Sequence, residues 1–170
     1  MACALTSDYT FSCDTATGGI KELYLIELAN ISSYTESSGT LTAIAKVATK
    51  IFRKYKLVLE TSHFDEAIVG NRANGTLYYT QTGEIILNNQ QVATRNEILL
   101  LAKSPLVVVV IDNNGANRLY GRINGLQLTA GAVNSGTAWG DRSGYMLTLT
   151  GNETELAPFV TDAAVATLQT

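Results

Sequence analysis

The sequence predicts a mainly β fold: an antiparallel β-sandwich or partly closed barrel with one α-helix and a long hairpin arm. Two observations lead to this prediction. Thr, Val, Ile, Leu and Tyr are spread evenly along the 170 residues, and turn signals rich in Gly, Asn and Ser recur from Gly18 to Asn152. Short strands separated by such turns are typical of sandwiches and barrels. The length fits one domain, 1–170, in which 1–18 and 152–170 are expected to be extended terminal segments.

The first half of the chain contains four predicted strands. Ile20–Leu28 has apolar residues at both alternating positions, so this strand is expected to be buried on both faces. A polar loop over 30–39 leads to a short strand over Leu41–Val47. The clean alternation of Ile51–Glu60 predicts a long strand, paired with another over Thr76–Leu87.

The segment 61–75 joins these last two strands and is long for a hairpin loop, since most such loops have about two to five residues. It is therefore predicted to be a long hairpin arm that projects from the body. An arm of this kind cannot bury its own apolar side chains, Phe64, Ile68 and Val69. Their exposure indicates a partner surface.

One helix is predicted over about 89–103, where good helix formers carry an apolar stripe. The helix must end before Pro105, because proline cannot continue it.

The remaining strands form two pairs. Strands over 106–112 and 118–123 are expected to form a hairpin around Asn113-Asn114-Gly115, since Asn and Gly tolerate the positive φ of such turns. A last pair, 125–129 and 145–150, flanks the glycine-rich loop 131–144. This loop carries the only tryptophan, Trp139.

The candidate reactive residues and the sequence motifs argue against an enzyme or a cofactor-binding protein. His63 is the only histidine, and although Ser62, Asp65 and Glu66 lie near it, neighbours on a strand point to opposite faces. The sequence has no nucleophile elbow, P-loop, calcium loop or zinc motif. We therefore expect no catalytic residues, no cofactor and no metal.

Charge and hydropathy limit the partners further. The net charge is −3 and the pI about 5.1, which disfavours a basic nucleic-acid-binding surface over the whole domain. No apolar run is long enough for a transmembrane helix, so no membrane anchor is expected. The N-terminus lacks the pattern of a secretory signal, which predicts assembly in the cytoplasm. Cys3 and Cys13 are close enough in sequence to form a local disulfide, but two free thiols are the favoured interpretation for a protein of the cytoplasm.

Lys46, Lys50, Arg53, Lys54 and Lys56 form the one notable cationic cluster. Three interpretations remain open: a solvated strand face, a basic patch for nucleic acid or an acidic partner, and a docking surface for carboxylates of a second copy. Charge pairs of the last kind set register and orientation more than affinity.

A series of short segments runs in the same order as in a known family. The segments are Gly19-Ile-Lys-Glu-Leu-Tyr-Leu, Asn74-Gly-Thr-Leu-Tyr-Tyr-Thr-Gln-Thr, Arg95-Asn-Glu-Ile98, Val110-Ile-Asp-Asn-Asn-Gly115, Leu119-Tyr-Gly121, Gly125-Leu-Gln-Leu-Thr-Ala-Gly131, Gly136-Thr-Ala-Trp-Gly-Asp-Arg-Ser-Gly-Tyr145 and Leu147-Thr-Leu-Thr-Gly151. In this series the chain resembles tail tube proteins of phages and prophages of Bacteroides-like bacteria. The resemblance covers about Gly18 to Gly151, and its specificity comes from the order of the segments.

The resemblance implies a structural virion protein with a sandwich or partly closed barrel, a flanking helix and a long hairpin. Six copies would form a ring whose inner strands join into a β-barrel, and stacked rings would form a tube that conducts DNA. The implied partners are further copies of the chain, other phage tail proteins, and viral DNA that passes through the channel without specific binding. The implied location is the virion tail, assembled in the bacterial host cytoplasm.

Contacts between subunits or rings are expected at eleven positions: Phe64, Asp65, Glu66, Ile68, Val69, Arg72, Lys54, Arg53, Trp139, Asp141 and Arg142. Two alternatives are kept. One is a related ring component such as a terminator or hub protein. The other is a carbohydrate-binding β-sandwich, in which Trp139, Tyr78 and Tyr79 would be stacking platforms.

Overall fold

The computed structural model describes Ser7, Tyr9 and residues 17–170, so Cys3 and Cys13 lie outside the described residues. The strands are β1 (Ile20–Glu27), β2 (Ile31–Ser37), β3 (Thr40–Lys46), β4 (Arg53–Lys56), β5 (His63–Asn71), β6 (Thr76–Asn88), β7 (Leu106–Asp112), β8 (Asn117–Tyr120), β9 (Gln127–Asn134), β10 (Gly144–Glu153) and β11 (Phe159–Val160). The helices are α1 (Val92–Leu101) and α2 (Asp162–Ala166), and a 3₁₀ turn covers Leu28–Asn30.

The strands form two sheets. The large sheet has the order β2-β3-β11-β8-β7-β1-β4, and the small sheet has the order β5-β6-β10-β9. All pairings are antiparallel except that of β11 with β3. The predicted mainly β fold with two sheets and one main helix is confirmed. The large sheet is not closed into a barrel, so the structure is the sandwich-like version of the prediction.

The main core lies between the two sheets. Leu23 and Val108 of the large sheet pack in one cluster with Ile85, Leu147 and Leu149 of the small sheet. Helix α1 packs against the same cluster only through the partly buried Ile98 and Leu101. This helix is slightly shorter than the predicted 89–103.

A second core covers the other face of the large sheet. Tyr24 and Val109 pack there with Phe52, Val160 and Leu168. Strand β1 is therefore buried on both faces, as its apolar pattern predicted.

Two predictions in the first half were wrong. The polar segment 30–39 contains strand β2, which pairs with β3 and packs Tyr34 against the second core. The predicted strand 51–60 is reduced to β4, because Phe52 turns into the second core and its N–H donates to the Leu168 carbonyl at 3.0 Å.

The partner of β6 also differs from the prediction. Residues 63–71 are not a loop but strand β5, which pairs with β6 from His63↔Glu84 to Asn71↔Thr76. The hairpin turn is therefore only 72–75. The projecting part of this hairpin is its tip, beyond the Glu153↔Tyr79 pair where β10 ends.

The C-terminal residues are not an extended segment. Strand β11 and helix α2 fold onto the large sheet, and the Thr161 hydroxyl caps α2 by accepting from the Ala164 N–H at 3.3 Å. Lys46 Nζ donates to the carbonyls of Thr167 and Thr170 at 2.6 and 2.8 Å. Strands β9 and β10 are longer than predicted and leave 135–143 as their connection.

Candidate assembly surfaces

The small sheet carries carboxylates and no cations, whereas the large sheet carries both kinds of charge. None of the twelve lysine and arginine residues of the chain lies in the four strands of the small sheet. The same strands contain four carboxylates: Asp65, Glu66, Glu84 and Glu153. The cations lie in the large sheet, in helix α1 and in connections.

The outer face of the small sheet follows from its register. Because Ile85, Leu147 and Leu149 point into the main core, the alternating residues of β6 and β10 point away from it. These outward residues include Thr80, Thr82, Glu84, Thr148 and Thr150. The outer face is therefore a threonine-rich surface that carries carboxylates and no cation.

The small sheet has two edges that are unpaired within the described residues, β5 and β9. Strand β9 is exposed at every position but Leu128, and it contains no charge and no proline. Edge strands of monomeric proteins usually carry such blocking residues. An unblocked edge is a surface that can pair with another chain.

The tip of the β5–β6 hairpin exposes apolar side chains. Ile68 and Leu77 are 65% and 58% exposed, and their register places both on the core-facing side of the small sheet. They lie past the residues that the large sheet covers. The turn beyond them carries Arg72, which has no ion pair in the described part of the chain.

The 135–143 connection displays Trp139 fully to solvent. One carboxylate oxygen of Asp141 accepts from the N–H groups of Thr137 and Ala138 at 2.9 and 2.8 Å. These two bonds hold the pKa of the Asp141 carboxyl below its usual range. Trp139 therefore lies in a turn that is held by its own hydrogen bonds.

The other predicted contact residues of the hairpin differ in availability. Phe64 packs into the main core and lies 5.1 Å from the Tyr120 ring, centroid to centroid. Glu66 accepts from Gln81 Nε2 at 2.8 Å and from the Ala157 N–H at 2.9 Å. Asp65 is exposed and Val69 is half-buried. Phe64 and Glu66 therefore make their contacts within the domain.

In the cationic cluster too, some side chains bind groups within the domain and others are exposed at the surface. Lys54 pairs with Glu22 at 2.6 Å, and this bond lowers the pKa of Glu22 and raises that of Lys54. Lys46 binds the C-terminal carbonyls. Arg53 is exposed on the edge strand β4, and Arg142 is exposed in the 135–143 connection. These two cations remain available at the surface.

A buried polar network was not predicted from the sequence. The Glu153 carboxylate, 2% exposed, accepts from the N–H groups of Ile123, Asn124 and Gly125 at 2.9 to 3.2 Å. Next to it, the buried Gln81 accepts from the Gly121 N–H at 2.8 Å. These side chains fix the connection between β8 and β9, which leads into the open edge.

The His63–Asp65 pair lies at the surface of the described part of the chain. His63 and Asp65 lie 3.5 Å apart, but both are exposed. The described residues contain no group of three or more side chains that could bind a metal ion. No helix in this part of the chain has the length and apolar character needed to cross a bilayer.

Comparisons of this chain with family models, curated proteins and solved structures returned no match.

Proposed function

We propose that this chain is a structural protein of a phage tail tube, which assembles edge to edge into rings that stack around a channel for DNA. The open, uncharged edge strand β9 is the observation that carries the proposal. The edge strands β9 and β5 have eight and nine residues, so one can pair along the length of the other. Such pairing satisfies the backbone groups that both edges leave free.

Strand direction supports the same joint. The four strands of the small sheet alternate in direction from β5 to β9. Strand β9 of one copy would therefore run antiparallel to β5 of the next copy. Repetition of this heterologous contact produces a closed ring when the rotation between copies closes. The resemblance of the sequence to tail tube proteins implies six copies.

The outer face of the small sheet suits the wall of a DNA channel. Each phosphate that a protein neutralises with a cation adds affinity for DNA. The outer face has no lysine or arginine, and Asp65 and Glu84 on it repel phosphate. DNA would pass such a wall without being held. The cations, Arg53 among them, would lie outside the channel or at seams between copies.

The alternatives differ in how well the geometry supports them. A terminator or hub component would use the same ring, so it remains the second candidate. A carbohydrate site built from Trp139, Tyr78 and Tyr79 has less support. Trp139 and Tyr78 lie at opposite ends of the small sheet, and Tyr78 and Tyr79 point to opposite faces of β6.

Negative-stain electron microscopy with light scattering, over a range of concentrations, tests the proposal. Rings or tubes with a central hole are expected. A double variant, Ala130→Glu with Ala132→Glu, places two carboxylates on the open edge facing Asp65 of the next copy, and like charges across a strand pair are destabilising. Ring formation should be lost.

The matched control is Ala43→Glu with Ala45→Glu on strand β3. These alanines have the same spacing and are exposed on the large sheet, and rings should persist. A wild-type chain that stays monomeric at every concentration would overturn the proposal. Rings that form equally well in the β9 variant would overturn the edge-to-edge joint.

A further inference from the structure

The two ends of the small sheet carry complementary groups. The hairpin tip, defined by Ile68, Leu77 and Arg72, lies at one end, where β5 turns into β6. The Trp139 turn, residues 135–143, lies at the other end, where β9 joins β10. The Asn89 N–H donates to the Ser143 carbonyl at 2.8 Å, which places the turn beside the far end of β6.

One copy cannot bring these groups together. Strand β6 runs between the two ends and has 13 residues. At a rise of about 3.4 Å per residue, the ends are roughly 40 Å apart. A contact between the hairpin tip and the Trp139 turn therefore requires two copies.

Both surfaces have the character of an interface core. Ile68 and Leu77 present aliphatic groups on one face, and the Leu77 side chain lies next to Gly70, its partner in the strand pair. Trp139 is the kind of residue that dominates binding energy, since a tryptophan buries about 150–250 Å² when it is covered. The turn that carries it is already ordered by Asp141, so little conformational freedom is lost on docking.

The turn carries two exposed charged residues, Asp141 and Arg142, and the carboxylate of Asp141 is complementary to Arg72 at the hairpin tip. Arg72 at the hairpin tip has no ion pair within the described residues. Asp141 in the turn uses one oxygen for its backbone bonds, and its lowered pKa keeps the carboxylate ionised. An arginine next to an indole gains a cation–π contact in addition.

We propose that the Trp139 turn of one copy docks on the hairpin tip of a copy in the next ring, with Arg72 next to Asp141. This inference rests on the proposed tube and assigns both partners of its axial contact. The contact joins opposite ends of identical chains, so it repeats without closing and extends the stack.

Tryptophan fluorescence tests the contact directly, because Trp139 is the only tryptophan. Emission and light scattering are recorded together as the concentration rises. We expect the emission to shift to shorter wavelengths as tubes form, since the indole leaves water. Leu77→Asp should give rings without tubes, and its emission should keep the wavelength of an exposed indole. The control Val47→Asp changes a similarly exposed aliphatic residue outside both ends and should behave as the wild type does.

The outcomes separate the two proposals. Tubes whose tryptophan emission stays unshifted, or Leu77→Asp tubes of wild-type length, would overturn the axial contact and leave the tube in place. Wild-type rings that never stack would also overturn it and favour the terminator or hub. A wild-type chain that forms no ring would overturn the proposed function itself. If Leu77→Asp does not fold, Trp139→Ala serves instead: rings should form, and tubes should be lost.

Discussion

The ring of Phe64 lies across Gly83 on the neighbouring strand. A methyl group placed on Gly83 would come within 2.3 Å of two ring carbons of Phe64. The two residues are directly paired between β5 and β6, and the Tyr120 ring lies 5.1 Å from the Phe64 ring, centroid to centroid. This close approach brings β5 into the main core and fixes the register of the hairpin.

Gly83→Ala should destabilise the protein by about 1–3 kcal/mol, because Phe64 must leave its position in the main core. Urea unfolding monitored by circular dichroism measures the change. The control is Gly70→Ala in the same hairpin, where the added methyl would meet Leu77 at 3.5 Å, an ordinary contact. If both variants lose the same stability, the ring does not depend on Gly83.

Glu153→Gln should cost roughly 1–3 kcal/mol, since it weakens charge-assisted bonds and leaves backbone N–H groups of the β8–β9 connection poorly satisfied. Thermal unfolding measures the loss. The control, Glu155→Gln, removes an exposed carboxylate that lies 3.3 Å from Arg122, and exposed pairs contribute at most about 1 kcal/mol. Equal effects of the two variants would contradict the buried role of Glu153.

Leu168→Ala should lower stability by about 2–5 kcal/mol, the usual cost of a truncated core leucine. Its side chain is fully buried in the second core. Leu156→Ala, at a residue that is 51% exposed, should change stability by less than about 0.5 kcal/mol. A neutral Leu168→Ala in denaturant unfolding would mean that packing of the residues after α2 on the second core is dispensable for folding.

The Trp139 turn should loosen in acid. The folded-state pKa of Asp141 lies below its unfolded value, so its bonds stabilise the turn above the unfolded pKa and are lost as pH falls through the folded pKa. Fluorescence anisotropy of Trp139 in the monomer should therefore be constant near neutral pH and fall below about pH 4. In Asp141→Asn this step should be absent. A step that persists in the variant would assign it to another carboxyl group.

The elements that were predicted well are those whose apolar runs and turn or stop residues lie in their own local sequence. Strand β1 and strand β7 are runs of apolar residues that only burial on both faces explains. The end of α1 follows from Pro105, and the β7–β8 turn follows from Gly115, which has a φ of 79°.

The elements that were missed depend on distant partners. Strand β2 is polar because most of it is exposed, so it shows no alternation. The pairing of β6 with β5 depends on Phe64 reaching Tyr120 across the sheets, which no local pattern contains. Helix α2 has five residues and is held by Lys46 from far along the chain.

Some features of the candidate surfaces were also predictable from the sequence, and others were not. Exposure was expected for Phe64, Ile68 and Val69; Ile68 is exposed, Val69 is half-buried, and Phe64 packs against the main core. The open β9 edge and the absence of cations from the small sheet were not foreseen, because strand order and sheet membership are needed to see them.

The small sheet contributes four strands per copy, and four is an even number. A barrel built by repeating it edge to edge keeps every joint antiparallel for any number of copies. A repeat with an odd number of strands would require a parallel joint at each junction. Strand parity therefore places no restriction on ring size. The twist of the small sheet and the angle at which β9 meets β5 would determine the number of copies in such a ring.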